Sequence, residues 1–205
     1  MYVIMRVSKN RKSRQLQEAY VQLGQMQRRL EIALAAAQKD AAVDELTGMM
    51  NARSFKKEVV SLLKDMDEGD RGIFIMLDGD RFKEVNDTYG HEKGDAVLEE
   101  SARRLRRSVR NIDTVSRMGS DEFVLLLPDI EDDEAVEQAC ERILGEIRRP
   151  FPLDENVTVH LTASIGVSLF PRDSQDEDSL LTGADQAMYR IKRGSKDHYS
   201  YTRTP

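Results

Sequence analysis

The stretch Gly119-Ser120-Asp121-Glu122-Phe123 most restricts how the chain can fold, because it sets two adjacent acids at the head of an apolar run. Phe123-Val124-Leu125-Leu126-Leu127 reads as a buried strand, and Asp113-Thr114-Val115-Ser116-Arg117 as a β-branched strand before it. Two strands joined by Gly-Ser predict a β-hairpin, with Gly119 at the first central position of a type II′ turn. Asp121 and Glu122 then lie at the mouth of a tight turn, at the start of a central strand. Carboxylates in such a place need a partner, so the hairpin is expected to hold a cation.

A chain of 205 residues holds one ordinary domain plus an additional segment. Its net charge of −6 argues against a general nucleic-acid or membrane-surface role. The single cysteine, Cys140, excludes an internal disulfide and suits a cytosolic compartment. Its spacing from Val136, Ile143, Leu144 and Ile147 is helical, which assigns it to packing. No apolar segment approaches the roughly 20 residues needed to span a bilayer.

Residues 1–43 differ from the remainder. An apolar stub, Met1-Tyr2-Val3-Ile4-Met5, precedes Arg6, Lys9, Arg11, Lys12 and Arg14, with no acid before Glu18. Basic clusters mark the cytoplasmic side of membrane helices, which is compatible with an upstream membrane or sensor segment; a start with chance charges is the alternative. Leu16, Leu23, Leu30 and Ala37 then recur every seventh residue, with Tyr20, Gln27, Leu34 and Ala41 as a second seam. This heptad pattern predicts a helix that pairs with a copy of itself, the alternative being an amphipathic helix docked on its own domain.

From Asp44 onward the pattern is that of a globular α/β domain, ending near residue 200. Gly48 stops the first helix and Asn51 can cap the next, whose apolar face carries Phe55, Val59, Leu62, Leu63 and Met66. Gly72-Ile73-Phe74-Ile75-Met76-Leu77 is a continuous apolar strand ending in Asp78-Gly79-Asp80. Carboxylates at a strand's carboxyl end can present oxygen ligands to Mg²⁺. Asp78, taken as the first residue off the strand, is the better candidate, and Asp80 could instead cap the following helix. A helical turn, a Gly turn at Gly90 and a helix opened by Asp95 follow. Asn86 and Asp95 have the chemistry to read a guanine edge, while His91 on generic grounds is a hydrogen-bonded turn histidine. Arg110 and Asp113 would be a local salt bridge worth little. His160 lies in an alternating strand with no acid or cysteine at ligand spacing, which makes it structural.

In their order these segments resemble the diguanylate cyclase (GGDEF) family. Gly119-Ser120-Asp121-Glu122-Phe123 is similar to its signature loop, with Ser120 where a second Gly is usual. Asp44-x-Leu46-Thr47-Gly48 and Asn51 resemble its first motif, with Ala52 in place of an Arg. The pattern Asp78-x-Asp80-x-Phe82-Lys83-x-x-Asn86-Asp87-x-x-Gly90-His91-x-x-Gly94-Asp95 matches at each fixed position. Ala184-Asp185-x-Ala187-Met188-Tyr189-x-x-Lys192 resembles the closing helix, with Lys196 where an Arg is usual.

The resemblance implies a palm-like, ferredoxin-related α/β fold: a central antiparallel sheet flanked by helices, over residues 44–200, preceded by a helical coiled coil at residues 1–43. It implies condensation of two GTP into cyclic di-GMP and two pyrophosphates by a homodimer in the cytoplasm, or in the cytoplasmic domain of a membrane-anchored protein, with no nucleic-acid partner. Mg²⁺, with Mn²⁺ as an alternative ion, would be held by Asp78, the Gly79 carbonyl, Asp121 and Glu122, and Asp121 would take the proton. Asn86 and Asp95 would contact guanine, Phe82 and His91 would line the nucleotide site, and Lys83, Lys192 and Lys196 would reach phosphates. Arg110, Asp113 and Arg142 would form an inhibitory site for cyclic di-GMP. The competing reading is a catalytically silent receptor for cyclic di-GMP or GTP. Ser120 bears on this choice: a type II′ turn accepts it, whereas a type I′ turn would hold it at positive φ at roughly 1 kcal/mol or more.

Overall fold

The computed structural model describes residues 17, 20–33, 42–130 and 132–202. It divides into two compact units between residues 41 and 42. In the first unit residues 20–33 form a helix, α1. Tyr20, Leu23 and Leu30, all members of the heptad seams, are exposed on it at 68%, 61% and 70%, and Gln27 donates to Glu31 one turn on. The other seam residues, Leu16, Leu34, Ala37 and Ala41, and the basic stretch 1–15, lie outside the described residues.

The second unit runs β1 (Met50–Asn51), α2 (Ala52–Asp65), β2 (Gly72–Asp80), α3 (Phe82–Tyr89), α4 (His91–Ser108), β3 (Thr114–Arg117), β4 (Glu122–Pro128), α5 (Asp133–Arg148), β5 (Phe151–Pro152), β6 (Thr158–Val159), β7 (Thr162–Phe170), α6 (Glu177–Arg193) and β8 (Tyr199–Tyr201). Six strands form one sheet in the order β1-β3-β4-β2-β7-β8, and β5 pairs with β6 separately. The central four strands are antiparallel, while β1 and β8 add to the edges in parallel.

β2 is apolar from Gly72 to Leu77 because both its faces are covered. Ile73, Ile75 and Leu77 pack with residues of α3, α4 and α5. Phe74 and Met76 pack on the other face with Phe55 and Val59 of α2 and with Leu180, Ala184 and Met188 of α6. The result is a helix–sheet–helix sandwich, the palm-like arrangement the sequence implied. Helix starts follow local chemistry: Asn51 accepts from the Ser54 amide, Asp132 from Ala135 and Asp176 from Ser179. α6 lies against β7 so closely that a Cβ on Gly166 would sit 1.9 Å from the Ala184 carbonyl oxygen. Cys140 is fully buried, as its spacing predicts, and burial pushes its thiol up to about 12.

Three local expectations need correction. Asp78 is not off the strand: β7 extends far enough for Asp78 to pair with Ser164 and Asp80 with Thr162, so β2 continues through Asp80. α4 opens at His91, directly after Gly90 at φ 84°, which leaves Asp95 in its second turn. The hairpin is not a two-residue type II′ turn. β3 ends at Arg117 and β4 begins at Glu122, with the Met118 amide donating to the Glu122 carbonyl at 2.9 Å. Neither Gly119 nor Ser120 has a positive φ, so Ser120 carries no backbone strain.

Candidate active site

Antiparallel pairing of β2 with β4 brings the two acidic motifs together. Asp78 stands directly opposite Glu122, and the Gly79 amide donates to the Asp121 carbonyl at 3.3 Å. A Cβ on Gly79 would lie 3.9 Å from that of Asp121. At Gly119 an added Cβ would fall 2.6 Å from Glu122 Oε2, so any side chain there would have to push this flexible carboxylate aside, although the backbone conformation itself does not call for glycine. The Ser120 hydroxyl donates to Asp121 Oδ1 at 2.6 Å.

Asp78 is buried, and Lys192 from the last turns of α6 reaches its Oδ2 at 2.5 Å. Its other oxygen, Oδ1, is buried with no hydrogen-bond partner. Burial pushes the Asp78 carboxyl up to about 6, helped by the charges of Asp121 and Glu122 and opposed by Lys192. A buried carboxylate oxygen without a donor fits a cation ligand. No group of three His, Cys, Asp or Glu side chains converges into a metal cluster among the described residues. Mg²⁺ does not demand one, since it commonly takes one or two carboxylates and completes its shell with water and substrate phosphates.

Asp80, two residues on, has a different task. It accepts from Thr162 Oγ1 at 2.7 Å, Ser164 Oγ at 2.8 Å and the Asp197 amide at 3.0 Å, and it does not cap α3. The N-cap there is Arg81, left-handed at φ 60°, with no side-chain cap. The first amides of α3, at Phe82 and Lys83, therefore stand at an open helix N-terminus, which suits an anion. Phe82 is buried, and Lys83 is exposed beside it.

Packing of α3 on α4 seats Asn86 over Gly94, where a Cβ would lie 1.8 Å from Asn86 Oδ1. The residue after Gly94 is Asp95, so the two expected guanine contacts come from adjoining positions of two helices. Asp95 and His91 are exposed. Lys196 follows α6 in a left-handed conformation at φ 50°.

The third expected constellation is also assembled, and closed on itself. Arg110 Nη2 meets Asp113 Oδ1 at 2.9 Å, its backbone amide donates to Asp113 Oδ2 at 2.6 Å, and Nη2 also reaches the Pro128 carbonyl. The Asp113 side chain is fully buried. Arg142 Nε donates to the Ser108 carbonyl at 2.6 Å, at the end of α4. His160 is exposed and borders the cleft that Arg81 and Lys196 also line.

Sequence reasoning missed Arg117. Its Nη1 donates to Asp44 Oδ1 at 3.0 Å and its Nη2 to the Ser120 carbonyl at 2.8 Å, tying the turn at Asp44 to the acidic loop. Nothing in the spacing pairs positions 44 and 117. Asp121 and Glu122 are half-buried beside the buried Asp78; a cleft of about 750 Å³ at the far end of β2, lined by Arg71, Gly72, Pro171 and Arg172, contains none of the three.

Comparison with known proteins agrees with the geometry. The diguanylate cyclase TpbB of Pseudomonas aeruginosa is 34% identical over 176 residues, covering 85% of this chain and 40% of TpbB. The crystal structure of the TpbB GGDEF domain superposes with a TM-score of 0.74 at 32% identity, covering 78% of this chain and 99% of that one. The coiled coil and GGDEF domain of DgcB from Caulobacter crescentus, solved in complex with c-di-GMP, gives a TM-score of 0.71 at 26% identity over 91% of this chain and 98% of that one. The chain thus spans about two-fifths of TpbB's length. Residues 41–198 match the family model described as diguanylate cyclase, GGDEF domain, and the chain belongs to that family.

Proposed function

We propose that the chain is a diguanylate cyclase that condenses two GTP into cyclic di-GMP, each of two domains holding one GTP. The observation that carries this reading is the unpartnered, buried Asp78 Oδ1, set opposite Glu122 and beside Lys192. Such an arrangement is unfavourable for folding unless a cation and a polyphosphate complete it.

Asp78, the Gly79 carbonyl, Asp121 and Glu122 would hold the divalent ion, Mg²⁺ or Mn²⁺. When bound, that ion neutralises charge on the reacting phosphate and makes the attacking hydroxyl more acidic. Asp95 accepts from the ring N–H and exocyclic amine of guanine, the Asn86 side-chain amide donates to the guanine edge, and His91 and Phe82 border the nucleotide. The open N-terminus of α3, Lys83, Lys192 and Lys196 meet the phosphates. The 3′-hydroxyl of one GTP attacks the α-phosphate of the other in line. An O3′–P bond forms, the P–O bond to pyrophosphate breaks, and Asp121 takes the hydroxyl proton. The exposure of Asp95, His91 and Lys83 supports a half-site that a second domain completes. Apolar seam residues exposed on α1 support pairing of two chains through that helix.

Arg110, Asp113 and Arg142 form the inhibitory product site in this reading. Cyclic di-GMP would displace the Arg110 guanidinium from the Pro128 carbonyl, exchanging a neutral acceptor for a guanine or phosphate.

The test is incubation with GTP and Mg²⁺ after phosphodiesterase stripping of carried-over product, followed by chromatography. Cyclic di-GMP that disappears in Asp121→Ala, with feedback inhibition abolished in Arg110→Ala, is the expected result. Tight cyclic di-GMP binding without any turnover at high protein concentration would make the chain a receptor instead.

A further inference from the structure

Two consecutive non-glycine residues, Lys196 and Asp197, are left-handed, at φ 50° and 46°. Such a pair is unfavourable for L-residues and persists only where the surroundings over-determine it. Three sets of hydrogen bonds do so. The Lys196 amide donates to the Ile191 carbonyl at 3.1 Å, closing the end of α6. The Asp197 amide donates to Asp80 Oδ2 at 3.0 Å, and Asp80 is itself pinned by Thr162 and Ser164. From the last turn of α5, Arg148 grips Asp197 twice, Nε to Oδ1 at 2.9 Å and Nη2 to the carbonyl at 3.1 Å. Glu141, earlier on the same helix, steadies Arg148 at 3.4 Å.

The strained turn borders a cleft of about 580 Å³ that is lined by Lys196, by Arg81 at the N-cap of α3 and by Glu84, Val85 and Thr88 along that helix. The Lys196 ammonium forms no ion pair among the described residues, whereas Lys192 pairs with Asp78. The bonds from β2 and from α5 clamp the backbone here, and so fix the point from which the Lys196 side chain starts.

We propose that Arg148 is a positioning residue for the nucleotide's polyphosphate: through Asp197 it holds the left-handed turn that fixes Lys196 against the β- and γ-phosphates. The inference rests on the assignment of Lys196 to the phosphates in the proposed cyclase reading. Arg148 touches no substrate in this scheme, so its effect must pass through Lys196 and must need the outer phosphates.

Two probes separate these requirements: 3′-deoxy-GTP, which cannot condense, and GMP, which lacks the outer phosphates. Arg148→Ala and Lys196→Ala are each expected to weaken 3′-deoxy-GTP binding about tenfold, the worth of a single charge-assisted hydrogen bond to phosphate, while leaving GMP binding unchanged. The double variant should bind no more weakly than Lys196→Ala alone, since both act through one group. Arg148→Lys, which keeps the charge but on a single nitrogen without the guanidinium fork, should recover part of the affinity and guards against a simple folding defect. In turnover, KM for GTP should rise more than kcat falls. Equal weakening of both probes, or additive effects in the double variant, would make Arg148 a purely structural residue and overturn the proposal. Wild-type protein that binds neither probe would overturn the guanine-nucleotide reading itself.

Discussion

Arg117 donates to Asp44 at 3.0 Å across the sheet edge, and the same guanidinium holds the Ser120 carbonyl. Its side chain is only 12% exposed, so the pair is shielded from solvent. Arg117→Ala leaves Asp44 without its cation and frees the acidic loop. A loss of about 2 kcal/mol is expected from charge-assisted hydrogen bonds of this kind, read by urea denaturation, together with a fall in cyclic di-GMP formation.

The same pair sets a pH dependence. Burial alone would raise the Asp44 carboxyl, but hydrogen bonds from Thr47 and Arg117 and the Arg117 charge together hold it below its ordinary 3.8. A folded pKa below the unfolded one stabilises the protein above the ordinary value, and that stabilisation is lost as pH falls through the depressed one. Wild type should therefore exceed Asp44→Asn in stability at pH 7, and the gap should close below about pH 4, as thermal melts across pH would record.

Asp78 behaves in the opposite sense. Its carboxyl is raised to about 6, chiefly by burial, so its ionisation destabilises the cation-free fold as pH rises from the ordinary 3.8 to about 6, and that loss is then complete. Asp78→Asn is expected to melt no lower than wild type at pH 7 without divalent cation, and to lose any advantage at pH 4. Added Mg²⁺ should stabilise wild type and leave the variant unchanged.

The signature loop separates sterics from strain. Gly119→Ala puts a methyl 2.6 Å from Glu122 Oε2, so turnover should fall at least tenfold as that carboxylate is displaced, with little change in melting temperature. Ser120→Gly relieves no positive φ; it should leave stability within about 0.5 kcal/mol of wild type, and turnover close to wild type, since only the hydrogen bond to Asp121 is removed.

Arg104 offers a stability test away from the site. Buried at 6%, it reaches Glu100, the carbonyls of Glu146, Arg149 and Pro150, and the Phe151 ring at 3.8 Å. Arg104→Ala strands the carbonyl end of α5, and a loss of about 3 kcal/mol is expected. Equilibrium denaturation measures it; the folded fraction should retain its activity.

Much of this protein was legible in its sequence, for reasons that are local. The apolar run from Gly72 to Leu77 predicts a strand covered on both faces, and Asn51 predicts a cap, because burial and capping act over a few neighbours. The motif residues Asp78, Asn86, Asp95, Asp121 and Lys192 could be picked out because their residue types and spacing resemble a family's. The two short edge strands β1 and β8 were not legible: two or three residues carry no periodicity, and they are strands only because β3 and β7 offer free edges. The hairpin turn was misread for a related reason. Gly-Ser fits a tight turn locally, but the connection widens because Met118 pairs back to Glu122 and Arg117 holds the Ser120 carbonyl.

By itself, then, the sequence determined which segments are buried, that α2 begins after the Asn51 cap and which side chains are equipped for nucleotide chemistry, all of which depend on residues close in the chain. Only the tertiary structure decided that Asp78 faces Glu122, that Asp80 is a pin and not a cap, that Arg117 meets Asp44, and that Arg148 holds the turn at Lys196. Those pairings join residues tens of positions apart, and strand register and helix packing, not local propensity, bring them within hydrogen-bond reach.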